Sequence, residues 1–286
     1  MEVSVEAARI GREAGATIPP EPRSGSLRRH ANLTRELAIT QFKLKYTGSV
    51  LGYVWSLVKP LMIFAILWVI FDKVFHLGRG TDRFVLQLLV AVVLFTFFQE
   101  TTSTAMNAIA GNGNLIRKAY FPRPILVIAA SLSSLITFLI NMSLIVVIAT
   151  PMGQILPGWR TLLLPLFVIE LYALVLGLSL LLSALFVFHR DLGHIWEIFM
   201  QLLVYGSAVM FPLSLIHKSW EQTLILANPV AQIIEDVRRS LVTPHVAWSV
   251  DVMHWAYAVP LGLTLLALGL GYLVFTRMAP RFAEYL

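Results

Sequence analysis

Cysteine is absent from all 286 residues, which excludes a disulfide framework, a thiol nucleophile and a cysteine-ligated metal together. Charge is scarce as well. Asp, Glu, Lys and Arg make up 13% of the chain, about half of the roughly 25% that a water-soluble domain carries. None of the four occurs between Arg123 and Arg160, nor from Val252 to Thr276, and uncharged apolar runs longer than about 18 residues are what a bilayer crossing requires. No G-x-x-x-x-G-K-[ST] phosphate loop is present, and no polar stretch is long enough to house a nucleotide-binding domain. The chain is therefore not expected to hydrolyse ATP by itself. Nor are there acids and bases paired deep in the apolar runs, or an internal repeat, as an ion-driven carrier would show. His189 and His194, with Arg190 and Asp191 between them, offer too few ligands for a metal. No cofactor is assigned to the chain.

What is present is apolar: 57% hydrophobic residues and a mean hydropathy of +0.76. Apolar blocks lie at about 48–77, 84–110, 122–150, 160–188, 194–216 and 252–277. Backbone in hydrocarbon has to satisfy its own hydrogen bonds, and these blocks are too long and continuous for alternating barrel strands. An all-α membrane protein with six transmembrane helices is expected. Net charge +6 does not indicate nucleic acid, because the basic residues are dispersed and the aromatic ones sit in apolar runs. It indicates orientation: with six alternating spans, fourteen Lys and Arg fall on the side of both termini and seven on the other, leaving Lys59 aside. Positive-inside then places both termini in the cytoplasm of a multi-pass plasma-membrane protein. Residues 1–30, polar with a Pro19-Pro20-Glu21-Pro22 cluster, read as a flexible cytoplasmic tail, and 31–286 as the membrane domain.

Three segments are more specific. Asn32 to Tyr46 is helical in pattern but has two narrow apolar stripes, which suits either an interfacial anchor or a helix wedged between headgroups and a second protein. Lys59-Pro60 interrupts the first block, so one kinked helix from Gly48 and a bend into a span near Pro60 are both open. In the 217–251 segment, Asn228-Pro229 is an N-cap followed by proline at the first helical position. Val230, Ile233, Ile234, Val237 and Leu241 then form an apolar stripe, with Gln232, Glu235, Asp236, Arg238 and Arg239 opposite and Glu235 four residues before Arg239. This amphipathic helix between spans five and six is too short to cross. It lies in the outer interface or re-enters part way.

Polar residues inside the blocks are costly and hence candidate sites: Gln99, Glu100, Asn141, Glu170 and Gln201. Each serves either a helix–helix hydrogen bond or a substrate passage. Aromatic faces stack on sugar rings, so Phe98 and Tyr205 join Gln99, Glu100, Asn141 and Gln201 as an expected passage, packing between helices being the alternative.

Four stretches together resemble the permease subunits of polysaccharide exporters of the ATP-binding-cassette class, the group that moves O-antigen, teichoic acid and capsule. They are Arg35-Glu36-Leu37 leading into Lys43-Leu-Lys-Tyr-Thr-Gly-Ser-Val-Leu-Gly-Tyr-Val-Trp-Ser-Leu-Val-Lys-Pro60; Asn114-Leu-Ile-Arg-Lys-Ala-Tyr-Phe-Pro-Arg-Pro124; Arg190-Asp-Leu-Gly-His194 with Met210-Phe-Pro212; and Asn228-Pro229 with Phe282-Ala-Glu-Tyr-Leu286. The resemblance covers about residues 30–286. It implies six spans, a homodimer, and two separate ATPase subunits that hold ATP and Mg. Residues 111–119 would form the coupling element, giving Arg35, Glu36, Asn112, Asn114, Leu115, Ile116, Arg117, Lys118, Arg190 and Asp191 as ATPase-contact residues. Ile233, Ile234 and Val237 would belong to an outer gate. Basic residues at the inner face, Lys43 and Lys45 foremost, would meet the pyrophosphate of a polyprenyl-linked glycan, topology charge being the alternative. The implied function is export of a lipid-linked polysaccharide, a galactan being one option. A drug or lipid permease of the same architecture, and an integral membrane enzyme acting on lipid carriers through Asp191, His189 and His194, are the competing readings.

Overall fold

Every peptide group that enters hydrocarbon must be paired within the protein, and the described residues of the computed structural model meet this mainly with helices, no strand occurring among them. Those residues are 23–47, 52, 54–76, 82–118, 121–155 and 158–286. In chain order the helices are α1 (Arg23–Tyr46), α2 (Val54–Trp68), α3 (Phe84–Ala110), α4 (Gly113–Lys118), α5 (Pro124–Ala149), α6 (Leu164–Phe188), α7 (Leu192–Gly206), α8 (Ser219–Leu226), α9 (Pro229–Leu241), α10 (Ser249–Met253), α11 (Ala258–Met278) and α12 (Phe282–Tyr285). An all-α membrane protein is what results. Among the described residues, five stretches are long and apolar enough to cross a bilayer: Val54–Val74, Phe84–Ala110, Pro124–Ala149, Trp159–Phe188 and Ser249–Tyr285.

α3 is the central post, buried along most of its length and packed against α5, α6 and α2. The most extensive pairing is α6 with α11, and small residues make it possible. A Cβ added to Gly271 would stand 2.0 Å from the Gly177 carbonyl oxygen, and one added to Gly177 would stand 2.5 Å from the Ala267 backbone. Helices in lipid lack a hydrophobic drive to associate, so close backbone approach at small residues supplies the packing.

Over Val54–Val74 the first block is one continuous helix with Pro60 inside it, relaxing to a wider π-helical turn at Val69–Val74. Pro60 has no N–H to give the Ser56 carbonyl, and Asn141 Nδ2 on α5 donates to that carbonyl at 3.1 Å instead. Residues 48–51 and 53, which carry part of the Gly48 motif, lie outside the described residues, as do 1–22 of the N-terminal tail. α1 begins at Arg23, so residues 23–30 of that stretch are helical.

The fifth block departs from a continuous crossing. α7 has 15 residues, about 22 Å at 1.5 Å per residue against roughly 30 Å of hydrocarbon. The chain then leaves the helix at Ser207 and turns through Ala208, whose φ of 51° is the left-handed region. Half-buried Asn228 and buried Arg238 from the next segment take up the freed carbonyls. Asn228 Nδ2 donates to Gly206 O at 3.2 Å and to Ser207 Oγ at 2.9 Å, Arg238 Nη2 to Val209 O at 3.2 Å, and Arg238 Nη1 to Phe211 O at 3.3 Å. Irregular backbone at membrane depth is tolerated only when enclosed in this way.

α9 is capped as its sequence predicts, Asn228 Oδ1 accepting from Val230 N at 3.0 Å. Its polar side does not face water, however. Gln232, Glu235, Asp236 and Arg238 are as buried as Ile233, Ile234 and Val237, and the helix packs among α3, α6, α8 and α11. The expected pairing along the helix shifts by one residue. Glu235 Oε2 meets Arg238 Nη1 at 3.0 Å, while Arg239 donates to Val246 O and lies 5.6 Å from the Trp248 ring. The reason is burial: Arg238 points to the interior, where carbonyls of two neighbouring segments need donors, and Glu235 is the counter-charge in reach.

Candidate coupling and transport site

The end of the bundle that carries residue 286 is built around α4. Asn112 starts this short helix, its carbonyl accepting from Leu115 N at 3.0 Å and Ile116 N at 3.1 Å, while its Nδ2 donates back to Ala108 O at 2.8 Å. Of the six residues of α4, Ile116 is buried, and Asn114, Leu115 and Arg117 are exposed. Arg117 Nη2 donates to Asn114 Oδ1 at 3.3 Å. The side chain of Lys118 lies outside the described residues. Ile116 enters a separate apolar cluster with Ile109, Leu126, Val187, Phe275 and Phe282. Phe282 is fully enclosed, edge-on to Phe275 at 5.4 Å and 6.1 Å from Phe188, with the Arg123 guanidinium 6.0 Å from its ring. A Cβ on Gly113 would touch Leu286 Cβ at 3.3 Å. The 282–286 segment thus lies directly against α4, and one apolar cluster joins α4 to the ends of α3, α6 and α11.

Arg190 and Asp191 are exposed in the α6–α7 turn, Arg190 lying 5.2 Å from the Phe186 ring. Arg35 and Glu36 are exposed on α1. The expected contact set therefore has its described side chains on the surface, apart from buried Ile116 and half-buried Asn112. His189 and His194 are exposed as well, and no group of three or more His, Cys, Asp or Glu able to hold a metal occurs among the described residues.

The expected passage residues do not form one group. Phe98 is in the core against Phe95, Gln99 is half-buried, and Asn141 is committed to the Ser56 carbonyl. Gln201 and Tyr205 stand on an exposed face of α7 with Ile195, Ile198, Phe199 and Leu202. Ile233, Ile234 and Val237 are interior. Two expectations made separately converge: Lys45 Nζ, at the end of α1, forms an ion pair with Glu100 on α3. Lys43 is exposed, its carbonyl accepting from Thr47 Oγ1 at 2.7 Å.

Several residues that organise the opposite end have partners that no local pattern in the sequence announces. Arg83 Nη1 donates to Gln154 O at 2.9 Å and Val242 O at 2.8 Å, tying the start of α3 to two loops. Arg238 Nε donates to Gln87 O at 3.2 Å. Asp236 accepts from Ser249 N at 2.9 Å and from Gln232 Nε2 at 2.8 Å, and Gln232 Nε2 also reaches the Tyr257 hydroxyl at 3.2 Å. Arginines 83 and 238 stand out as charges beside apolar blocks, but their acceptors are carbonyls 71 to 159 and 27 to 151 residues away.

A bundle of long apolar helices that encloses its irregular backbone and offers a short exposed helix at one end defines a multi-pass membrane protein. Comparison with known proteins makes this specific: residues 32–242 match the ABC-2 type transporter model, and the chain belongs to that family. It is similar to the O-antigen export system permease protein RfbA of Myxococcus xanthus, 26% identical over 209 residues, 73% of this chain and 79% of the relative. An O-antigen export system permease protein RfbA of Klebsiella pneumoniae is 24% identical over 85% of this chain and 91% of its own length. The polysialic acid transport protein KpsM of Escherichia coli is 24% identical over 77% and 85%.

Proposed function

We propose that this chain is the membrane-spanning subunit of an ATP-driven exporter that carries a polyprenyl-pyrophosphate-linked polysaccharide from the cytoplasm to the outer face of the bacterial plasma membrane. The observation that carries this reading is similarity to O-antigen export permeases along 85% of the chain, joined to a sequence without a phosphate loop. The power stroke then belongs to a second polypeptide. In this reading two copies pair, two ATPase subunits bind at the end bearing α4, and ATP and Mg stay on those subunits. Both termini are cytoplasmic, and α7 with its irregular continuation to residue 216 is the fifth of six crossings.

Mechanically, closure of the ATPases presses on Asn114, Leu115 and Arg117. Ile116 and Phe282 pass the displacement into α3, α6 and α11, because packed side chains move as units rather than compress. The exposed apolar faces of α2 and α7, with Gln201 and Tyr205 among them, line the contact between the two copies, and glycan threads there. Lys43, on the exposed side of α1, attracts the carrier's pyrophosphate. A drug or lipid as cargo is the second reading, favoured by an apolar cavity of about 490 Å³ between α2, α3 and α5. Depletion of the chain in its host distinguishes them. Export of glycan predicts that lipid-linked polymer accumulates on the cytoplasmic side, whereas unchanged surface glycan with altered efflux of small amphiphiles favours the second.

A further inference from the structure

A cleft of about 370 Å³ opens between α1, α3 and α5 on the α4 side of the bundle. Ligand cavities run from about 300 to 1,000 Å³, so it has room for one or two sugar rings. Three helix faces meet there. Ala130, Ser133 and Ser134 are three and four residues apart on α5; Thr104, Asn107 and Ala108 share a face of α3, with Asn112 just beyond its end; Gln41, Leu44 and Lys45 close the side from α1.

The hydrogen-bonding state of this lining is unusual. Hydroxyls on membrane helices ordinarily bond back to a carbonyl of the preceding turn, as Ser131, Ser143 and Ser183 do at 2.9 to 3.0 Å. Ser133 and Ser134, only 6% and 4% exposed, make no such bond and have no partner among the described residues. Asn107 and Asn112 use their amide N–H groups on Ser103 O and Ala108 O, which leaves both side-chain carbonyl oxygens as acceptors. Buried polar groups cost free energy unless paired, and the two buried serines line one cleft with half-buried Asn112 and exposed Asn107. The floor is aliphatic, Ala108 and Ala130, and the exposed Leu44 adds an apolar edge from α1. The lining is neutral except for Lys45, whose charge is met by Glu100. Neutral hydroxyls and amides above a small apolar floor match a polyol, whose O–H groups both donate and accept while its C–H face needs apolar contact. They do not match a free phosphate or a nucleotide.

We propose that this cleft binds a polyol presented from the membrane, with its hydroxyls on Ser133, Ser134, Asn107 and Asn112. The polyol is either the sugar of a carrier-linked glycan or the glycerol headgroup of phosphatidylglycerol. The first source rests on the exporter reading; the cleft chemistry does not.

The test uses the full chain in phosphatidylcholine nanodiscs and native mass spectrometry of retained lipid, with no ATP or partner present. Three probes are compared: a polyprenyl-phosphate-linked monosaccharide, the same polyprenyl phosphate without sugar, and phosphatidylglycerol. Wild type is expected to retain the sugar-bearing probe, and the S133A/S134A variant, which keeps volume and helix propensity, to lose at least about tenfold in affinity while holding bare polyprenyl phosphate equally well. An S133T/S134T variant, which restores the hydroxyls, is expected to recover part of the loss. The same loss confined to phosphatidylglycerol supports the cleft and assigns its occupant to the headgroup. Equal retention of both hydroxyl-bearing probes by wild type and S133A/S134A overturns the proposal. A chain that binds the sugar probe yet exports no glycan with any ATPase refutes the exporter reading and leaves the cleft standing.

Discussion

At the scale of single residues, side chains repair what the backbone loses. Asn141 illustrates it: Pro60 leaves the Ser56 carbonyl without its helical donor, and Asn141 Nδ2 supplies one from α5. N141L is expected to destabilise the protein by about 0.5–1.5 kcal/mol, the net worth of the hydrogen bond that it removes. The penalty should largely vanish in a P60A background, where the restored N–H reaches Ser56 again. Thermal unfolding of the four proteins of that cycle in nanodiscs checks it, and an undiminished penalty in P60A contradicts the pairing. Both residues were conspicuous in the sequence, one as a proline in an apolar block and the other as an amide in another. Their partnership was not, because nothing local joins Asn141 to the Ser56 carbonyl 85 residues away. The Lys45–Glu100 ion pair was hidden for the same reason. Arg238 is a further case. R238M should cost about 3–5 kcal/mol by leaving the Glu235 charge buried and unpaired, and R238M/E235Q should recover much of it, again by thermal unfolding.

Among whole elements, close packing and interruption decide the architecture. G271L places a side chain where the Gly177 carbonyl already stands, since even a Cβ would sit 2.0 Å away. Separation of α6 from α11 follows, at a cost of about 1–3 kcal/mol or more, and loss of monodisperse protein on size-exclusion chromatography is the expected result. Periodicity and hydropathy marked this pair of helices as spans, but which glycines touch is a property of the docked pair. The break after α7 was missed for a different reason. Residues 194–216 are apolar throughout, and a hydropathy pattern does not register that Asn228 and Arg238 can take over carbonyls freed from a helix. The polar face of α9 was visible in the sequence and its enclosure was not, since amphipathic patterning looks the same whether the polar side meets water or buried partners. On α4 the outlook is functional: R117E should leave insertion and folding intact while ATP turnover by the partner no longer produces export. Normal export by that variant would remove α4 from the coupling path.

For the whole molecule, membrane class and family were legible, because scarce charge, long apolar blocks and the stretches around Pro60, Arg117 and Pro229 are all local properties. The sites were legible only in part. Exposed ends such as Arg35, Arg117 and Arg190 stand where charge near span ends places them, whereas the interior positions depend on which helices meet. The account's central claim is that this chain forms the conduit and another polypeptide drives it. The most direct measurement places the purified chain in proteoliposomes with lipid-linked glycan, with and without its ATPase, and follows ATP hydrolysis and glycan reaching the far leaflet. The account predicts no hydrolysis and no transport by the chain alone, and ATP-dependent glycan movement once the ATPase is added. Glycan movement without the ATPase, or an active complex that leaves glycan where it began, would contradict it.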